Sequence, residues 1–270
     1  MRLHIRQTLL ALAFAASLPL QAGEVTLSAK NPVPPSAPVD DYVGGRGLLT
    51  IQGPTGLFIN PTSGTLPAGA FTAQYCFFLP NNNADILMAH GALISYGVTD
   101  WLEVGGLFGA KDFDSSVPLD DAFYGGPMAR VRILKDEGFI PELSVGGYAF
   151  FGDEENYNAF IAAFKRFEIS TSGILRSVGV HAGLRETWNE KPDDASDSPV
   201  GYFGLEIELP LRLYLVGEVS TKDEDLSDKT PYSFGVQWRA GGINVSVAFL
   251  DFGNTVISEP SFFFGIGSQF

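Results

Sequence analysis

Beyond its first twenty-two residues the chain carries two imidazoles, His90 and His181, and an imidazole base works only with a nucleophile and an orienting group in hydrogen-bond reach. Ser177 and Arg185 flank His181 in sequence, too far along an extended chain to complete a triad, so partners would have to come from adjacent strands. A lone inward histidine is more often a lining residue than a base. Glu206 and Glu208 fall on one face, about 7 Å apart along a strand, a spacing that suits a glycosidase pair. Set opposite Arg130, Arg132, Arg185 and Arg212, they read instead as rungs of a charge ladder. The stretch NEKPDDASD (189–197) holds carboxylates for calcium but lacks the spaced ligands of an EF-hand loop, and reads as a solvated acidic loop. One cysteine, Cys76, with three histidines is too few for a structural zinc site or an internal disulfide. The glycines lie singly within strands, where they ease curvature, and form no phosphate-binding loop. These residues point to no catalytic centre, cofactor or metal.

What must position them is a chain of 270 residues with 45% hydrophobic, 18% charged and 13% aromatic residues and 31 glycines. Charge is below the roughly 25% of an average soluble domain, and wholesale disorder is excluded. A net charge of −14 argues against nucleic acid as a partner, since its phosphates demand a basic face.

Arg2, His4 and Arg6 precede the apolar stretch TLLALAFAASLPL, and Gln21-Ala22-Gly23 offers a cleavage point, the layout of a secretory signal peptide over 1–22. The apolar stretch falls short of the roughly 20 residues of a spanning helix. Removing residues 1–22 takes away Arg2 and Arg6 and leaves 15 basic against 31 acidic groups, a balance of −16. Residues 23–68 form an extended N-terminal segment, periplasmic or in the lumen, whose first part, 23–47, contains the Pro- and Gly-rich run KNPVPPSAPVDDYVGGRG.

From 69 to 270 the texture predicts an antiparallel transmembrane β-barrel of about twelve strands: 69–79, 85–97, 100–111, 121–134, 139–152, 156–169, 173–188, 197–209, 211–222, 229–239, 242–252 and 257–270. Short turns follow even strands and longer acidic loops follow odd ones, as in outer-membrane barrels whose short turns face the periplasm. Alternation sorts the faces. Phe203, Leu205, Ile207 and Leu209 oppose Tyr202, Gly204, Glu206 and Glu208; Leu211, Leu213, Leu215 and Val219 oppose Arg212, Tyr214 and Glu218. The second strand has no clearly polar face. A soluble sandwich would also alternate, but mid-strand charges of both signs share one face while the other carries aromatics near strand ends. The expected lumen lining is Glu103, Arg130, Arg132, Glu142, His181, Arg185, Glu206, Glu208, Arg212 and Glu218.

Ahead of the first strand, GPTGLFINPTSGTLPAGAF (53–71) contains Thr55, Gly56, Leu57, Pro61, Thr62, Leu66, Pro67 and Gly69, and YGVTDWLEVGG (96–106) joins strands two and three. With the terminal aromatic Phe270, this series resembles the YjbH-type outer-membrane β-barrel proteins, in which domains open with a Thr-Gly-Leu, Pro-Thr and Leu-Pro-x-Gly series. The resemblance is specific over about fifty residues, and textural elsewhere. It implies an association with exopolysaccharide secretion and brings no catalytic residues.

The expected function is therefore a non-enzymatic outer-membrane barrel, a narrow channel or envelope component. Its partners would be outer-membrane lipid, the barrel-assembly machinery reading Phe270 as an assembly signal, and polysaccharide or a periplasmic protein. The alternatives are an outer-membrane hydrolase with a lumen or rim site and a structural component binding a periplasmic partner.

Overall fold

The computed structural model describes residues 56–81, 86–113, 122–153, 155–189, 199–222, 227–240, 242–253 and 260–270. The signal-peptide reading, the run 23–47 and the acidic loop 190–197 lie outside these residues.

Twelve strands run in chain order: β1 (Phe71–Leu79), β2 (Ile86–Thr99), β3 (Leu102–Phe113), β4 (Ala122–Leu134), β5 (Glu142–Gly152), β6 (Asn156–Glu168), β7 (Ser177–Asn189), β8 (Val200–Leu209), β9 (Leu213–Ser220), β10 (Tyr232–Ala240), β11 (Ile243–Asp251) and β12 (Ser261–Gln269). Each pairs antiparallel with its sequence neighbours, and β1 pairs with β12 to close the barrel, so the sheet has no free edge. Reciprocal backbone bonds complete the seam: Phe71 N donates to Phe270 O (3.0 Å) and Phe270 N to Phe71 O (2.8 Å).

The strand bounds lie within four residues of those expected from alternation, because a period of two is a local property of each strand. One boundary matters for a candidate residue. Arg212, expected in mid-strand, sits in a one-turn helix, Pro210–Arg212, between β8 and β9. Pro210 supplies no N–H to the ladder, and Leu211 and Arg212 both take the left-handed conformation with φ of 62°, so β9 starts at Leu213. The second strand, whose register the sequence leaves open, turns Gly91, Leu93, Ser95 and Gly97 inward and Ile94, Tyr96 and Val98 outward.

The outer face is a band of exposed Val, Ile, Leu, Phe, Tyr and Trp that includes Tyr96, Val104, Phe108, Phe203, Leu205, Leu215, Phe234, Val236, Val247 and Ile266. Charged residues at outward positions stand toward the strand ends, as with Asp112, in a 3.7 Å pair with His90, and Lys165, paired with Asp136. Asp112 and Leu102 are ten residues apart on β3, which at about 3.3 Å per residue and a tilt of about 40° gives an apolar height of about 25 Å.

The inside departs from an evenly polar lumen. Toward the rim that carries the longer loops it is an apolar core of Phe78, Leu93, Leu107, Tyr148, Phe150, Leu250 and Phe263. Toward the short-turn rim, Glu142, Arg132, Glu206, Arg239, Glu208 and Arg166 form ion pairs. A small barrel has to fill its interior with side chains, and this one also takes in a piece of backbone.

Candidate functional site

Residues 56–66 are buried without interruption. They form a hairpin inside the barrel, closed by an antiparallel bridge between Gly56 and Pro61 and by Leu57 N donating to Asn60 O at 3.0 Å. Its tip, Leu57-Phe58-Ile59, joins the apolar core, with Phe58 edge-on to Phe263 at 5.9 Å between ring centroids.

Backbone taken into a barrel brings N–H and C=O groups that must find partners. Here wall side chains supply them. The carboxylate of Glu218 on β9 accepts five hydrogen bonds: Phe58 N (3.0 Å) and Ile59 N (2.7 Å) at one oxygen with Ser233 Oγ (2.7 Å), Asn60 N (3.1 Å) and Asn60 Nδ2 (2.8 Å) at the other. Asn60 Nδ2 also donates to Ser220 Oγ (3.0 Å), and Gln237 Nε2 to Leu57 O (3.2 Å). The return arm is held in the same way. Tyr202 Oη donates to Pro61 O and Arg130 Nη1 to Thr62 O, each at 2.8 Å. Ser63 Oγ donates to Glu142 (2.9 Å), and Ser144 Oγ to Ser63 O. Glu103 accepts from Leu66 N (2.8 Å) and Ser95 Oγ (2.6 Å) while paired with Arg130 (2.7 Å).

Two inward glycines make room. A Cβ on Gly204 would lie 2.3 Å from Leu57 Cδ1, and one on Gly97 would lie 2.0 Å from Pro67 O. The first contact is with the end of a side chain and the second with backbone, so Gly97 is the less replaceable.

Of the residues expected to line the lumen, Glu103, Arg130, Glu142 and Glu218 meet on the hairpin, with Arg132 reaching Glu142 at 3.5 Å. Arg239 takes Glu206 at 2.5 Å, with its guanidinium 4.1 Å from the centroid of the Tyr214 ring. Glu208 accepts from Arg166 (2.6 Å) and Ser177 Oγ (2.7 Å). The two carboxylates spaced like a glycosidase pair thus belong to separate ion pairs. Arg185 is half-buried at an inward position of β7, Arg212 lies in its turn, and Phe270 is exposed at the short-turn rim. His181 is buried with its ring 4.5 Å from that of Phe164, and neither ring nitrogen has a hydrogen-bond partner among the described residues.

Sequence reasoning did not single out Asn60, Ser63, Ser144, Tyr202 and Gln237 as hairpin contacts. The available signal was charge: no Asp, Glu, His, Lys or Arg occurs between Arg46 and Asp85, a stretch fit to be buried against carboxylates.

A closed, twelve-stranded antiparallel barrel, apolar outside and filled within, is a β-barrel of the outer-membrane type. Among solved structures it is similar to the KdgM porin, at 9% identity over 74% of this chain and 98% of that one, with a TM-score of 0.51. It is also similar to the translocator domain of the autotransporter NalP from Neisseria meningitidis (16% identity, 74% and 87% coverage, TM-score 0.35) and to the beta domain of the Bordetella autotransporter BrkA (15%, 75% and 99%, 0.42). These likenesses concern the fold. No family model and no curated protein matches the chain.

Proposed function

We propose that the protein is a non-enzymatic component of the bacterial outer membrane, exported through its signal peptide, whose barrel forms a narrow channel closed at rest by its own N-terminal hairpin. The observation that carries this reading is the hairpin itself: eleven consecutive buried residues inside a barrel whose exterior is an apolar band of membrane height. Short turns and Phe270 would face the periplasm, where Phe270 would serve the assembly machinery.

The hairpin coincides with the Thr-Gly-Leu, Pro-Thr and Leu-Pro-x-Gly series that resembles the YjbH type. This supports a role in the envelope related to exopolysaccharide secretion, with polysaccharide as the material passed or a periplasmic protein as the partner that draws the hairpin out. The lack of a partner for His181 and the separate pairing of Glu206 and Glu208 weigh against a hydrolase.

The test is planar-bilayer conductance of the refolded protein beside a variant lacking residues 57–65, each shown to be folded by heat-modifiable migration. The reading expects a silent intact barrel and stepwise current from the variant, sensitive to Glu206→Lys. Equal current from both would overturn the closed-channel reading, and two folded, silent barrels would leave an anchoring role in its place.

A further inference from the structure

Three consecutive short-rim turns carry bulky apolar side chains into the open. The β4–β5 turn presents Phe139 fully exposed beside a half-exposed Ile140; the β6–β7 turn presents Ile174 at 80% exposure with Leu175; the β8–β9 turn presents Leu211 at 85%. Exposed patches of this kind mark interaction sites.

These tips are held in place by their backbones. Glu137 and Ile140 exchange backbone hydrogen bonds of 3.1 and 2.9 Å around Phe139, and Lys165 Nζ donates to Gly138 O at 2.6 Å. Ser170 Oγ accepts from Gly173 N (2.9 Å), and Ile169 N donates to Arg176 O (2.8 Å). Trp238 Nε1, from the outer face, donates to Leu211 O at 3.1 Å. Leu211 itself is held at φ 62°, in the left-handed region that a non-glycine residue rarely adopts.

Two features identify the occupant. The tips continue the outer apolar band, through Ile133 and Leu134 on β4, Phe167 on β6 and Ile169 just beyond it, so they are the margin of the same surface. Each turn also sets a base near its apolar tip: Lys135, Arg176 and Arg212. Of the nearby acids, Asp136 and Glu168 are engaged by Lys165 and Arg166 and Glu137 stands exposed within the β4–β5 turn, while Lys135 and Arg176 have no ion-pair partner among the described residues. Apolar fingers beside bases suit a phospholipid leaflet, with acyl chains under the fingers and phosphates at the bases.

We propose that the β4–β9 sector of the short-turn rim is an anionic-phospholipid binding margin, in which Phe139, Ile174 and Leu211 enter the leaflet and Lys135 and Arg176 bind its phosphates. The inference rests on the membrane reading above. Its test uses the full barrel refolded into vesicles of phosphatidylcholine alone or with phosphatidylglycerol, each doped with brominated lipid. The reading is the emission added by Phe139→Trp over that of the native tryptophans.

The proposal expects this added emission to be blue-shifted and lost to bromine when phosphatidylglycerol is present, and largely restored by Lys135→Glu with Arg176→Glu. Quenching of the native tryptophans without loss of the added emission overturns the margin while the membrane reading stands. Quenching at position 139 that ignores both lipid charge and the paired charge reversal overturns the anionic assignment. If neither the native nor the added tryptophan is quenched, the membrane reading fails and takes the margin with it.

Discussion

Glu218 joins wall to hairpin more completely than any other wall side chain described, with three backbone N–H groups, one amide and one hydroxyl converging on a carboxylate buried in the lumen. Its removal strands buried donors, and such losses are large because hydrogen bonds to a charged acceptor are each worth about 1.5–3 kcal/mol. Glu218→Ala should therefore lower unfolding stability in urea by about 3 kcal/mol or more, with Glu218→Gln losing less because one acceptor oxygen survives. His181 gives the opposite expectation. With no partner for either ring nitrogen among the described residues, His181→Phe should leave stability unchanged or raise it; a loss comparable to that of Glu218→Ala would show that the imidazole makes an essential polar contact.

At the scale of elements, strands were legible and the hairpin was not. β8 declares itself because each residue reports its own face, Phe203 and Leu205 out, Glu206 and Glu208 in. β2 hid its register because its inner face enters the apolar half of the lumen, where Leu93 is as buried as any residue. The hairpin has no periodicity to read, and its partner Glu218 lies about 160 residues away in sequence, so the Gly and Pro of 53–71 showed a turn-rich segment without showing what enclosed it. The ion pairs were half legible: the charges were placed inward, but whether Glu206 met Arg239 or Arg185 depends on the shear of the closed sheet. The faces make a prediction of their own. Leu205→Arg, in the middle of the outer band, should cost about 2–4 kcal/mol in a bilayer, measured by reversible folding into phospholipid vesicles. A cost near zero would place that face in water.

For the whole molecule, closure acts twice. Pairing β1 with β12 removes the sheet edges, and the hairpin then satisfies an interior that twelve strands alone would leave to water or to collapsed side chains. The two are linked at Gly97, whose inner surface is covered by Pro67 where the chain leaves the hairpin for β1. Gly97→Ala must push the backbone of Pro67 aside and should loosen the hairpin while the strands still close, seen as heat-modifiable migration retained together with faster proteolysis near residue 60. Loss of the barrel itself would contradict that separation.

The chain carries its own reporter of the closed lumen. Cys76, its single cysteine, faces inward on β1 and is buried in the same apolar cluster as Leu57, Phe58 and Ile59. The most direct measurement is the rate at which a water-soluble maleimide labels Cys76 in the folded, vesicle-inserted protein, against the same protein unfolded in denaturant and the folded variant lacking residues 57–65. A filled lumen predicts negligible labelling of the intact barrel, with rapid labelling of the unfolded chain and of the variant. Labelling of the intact folded barrel as fast as that of the variant would contradict it.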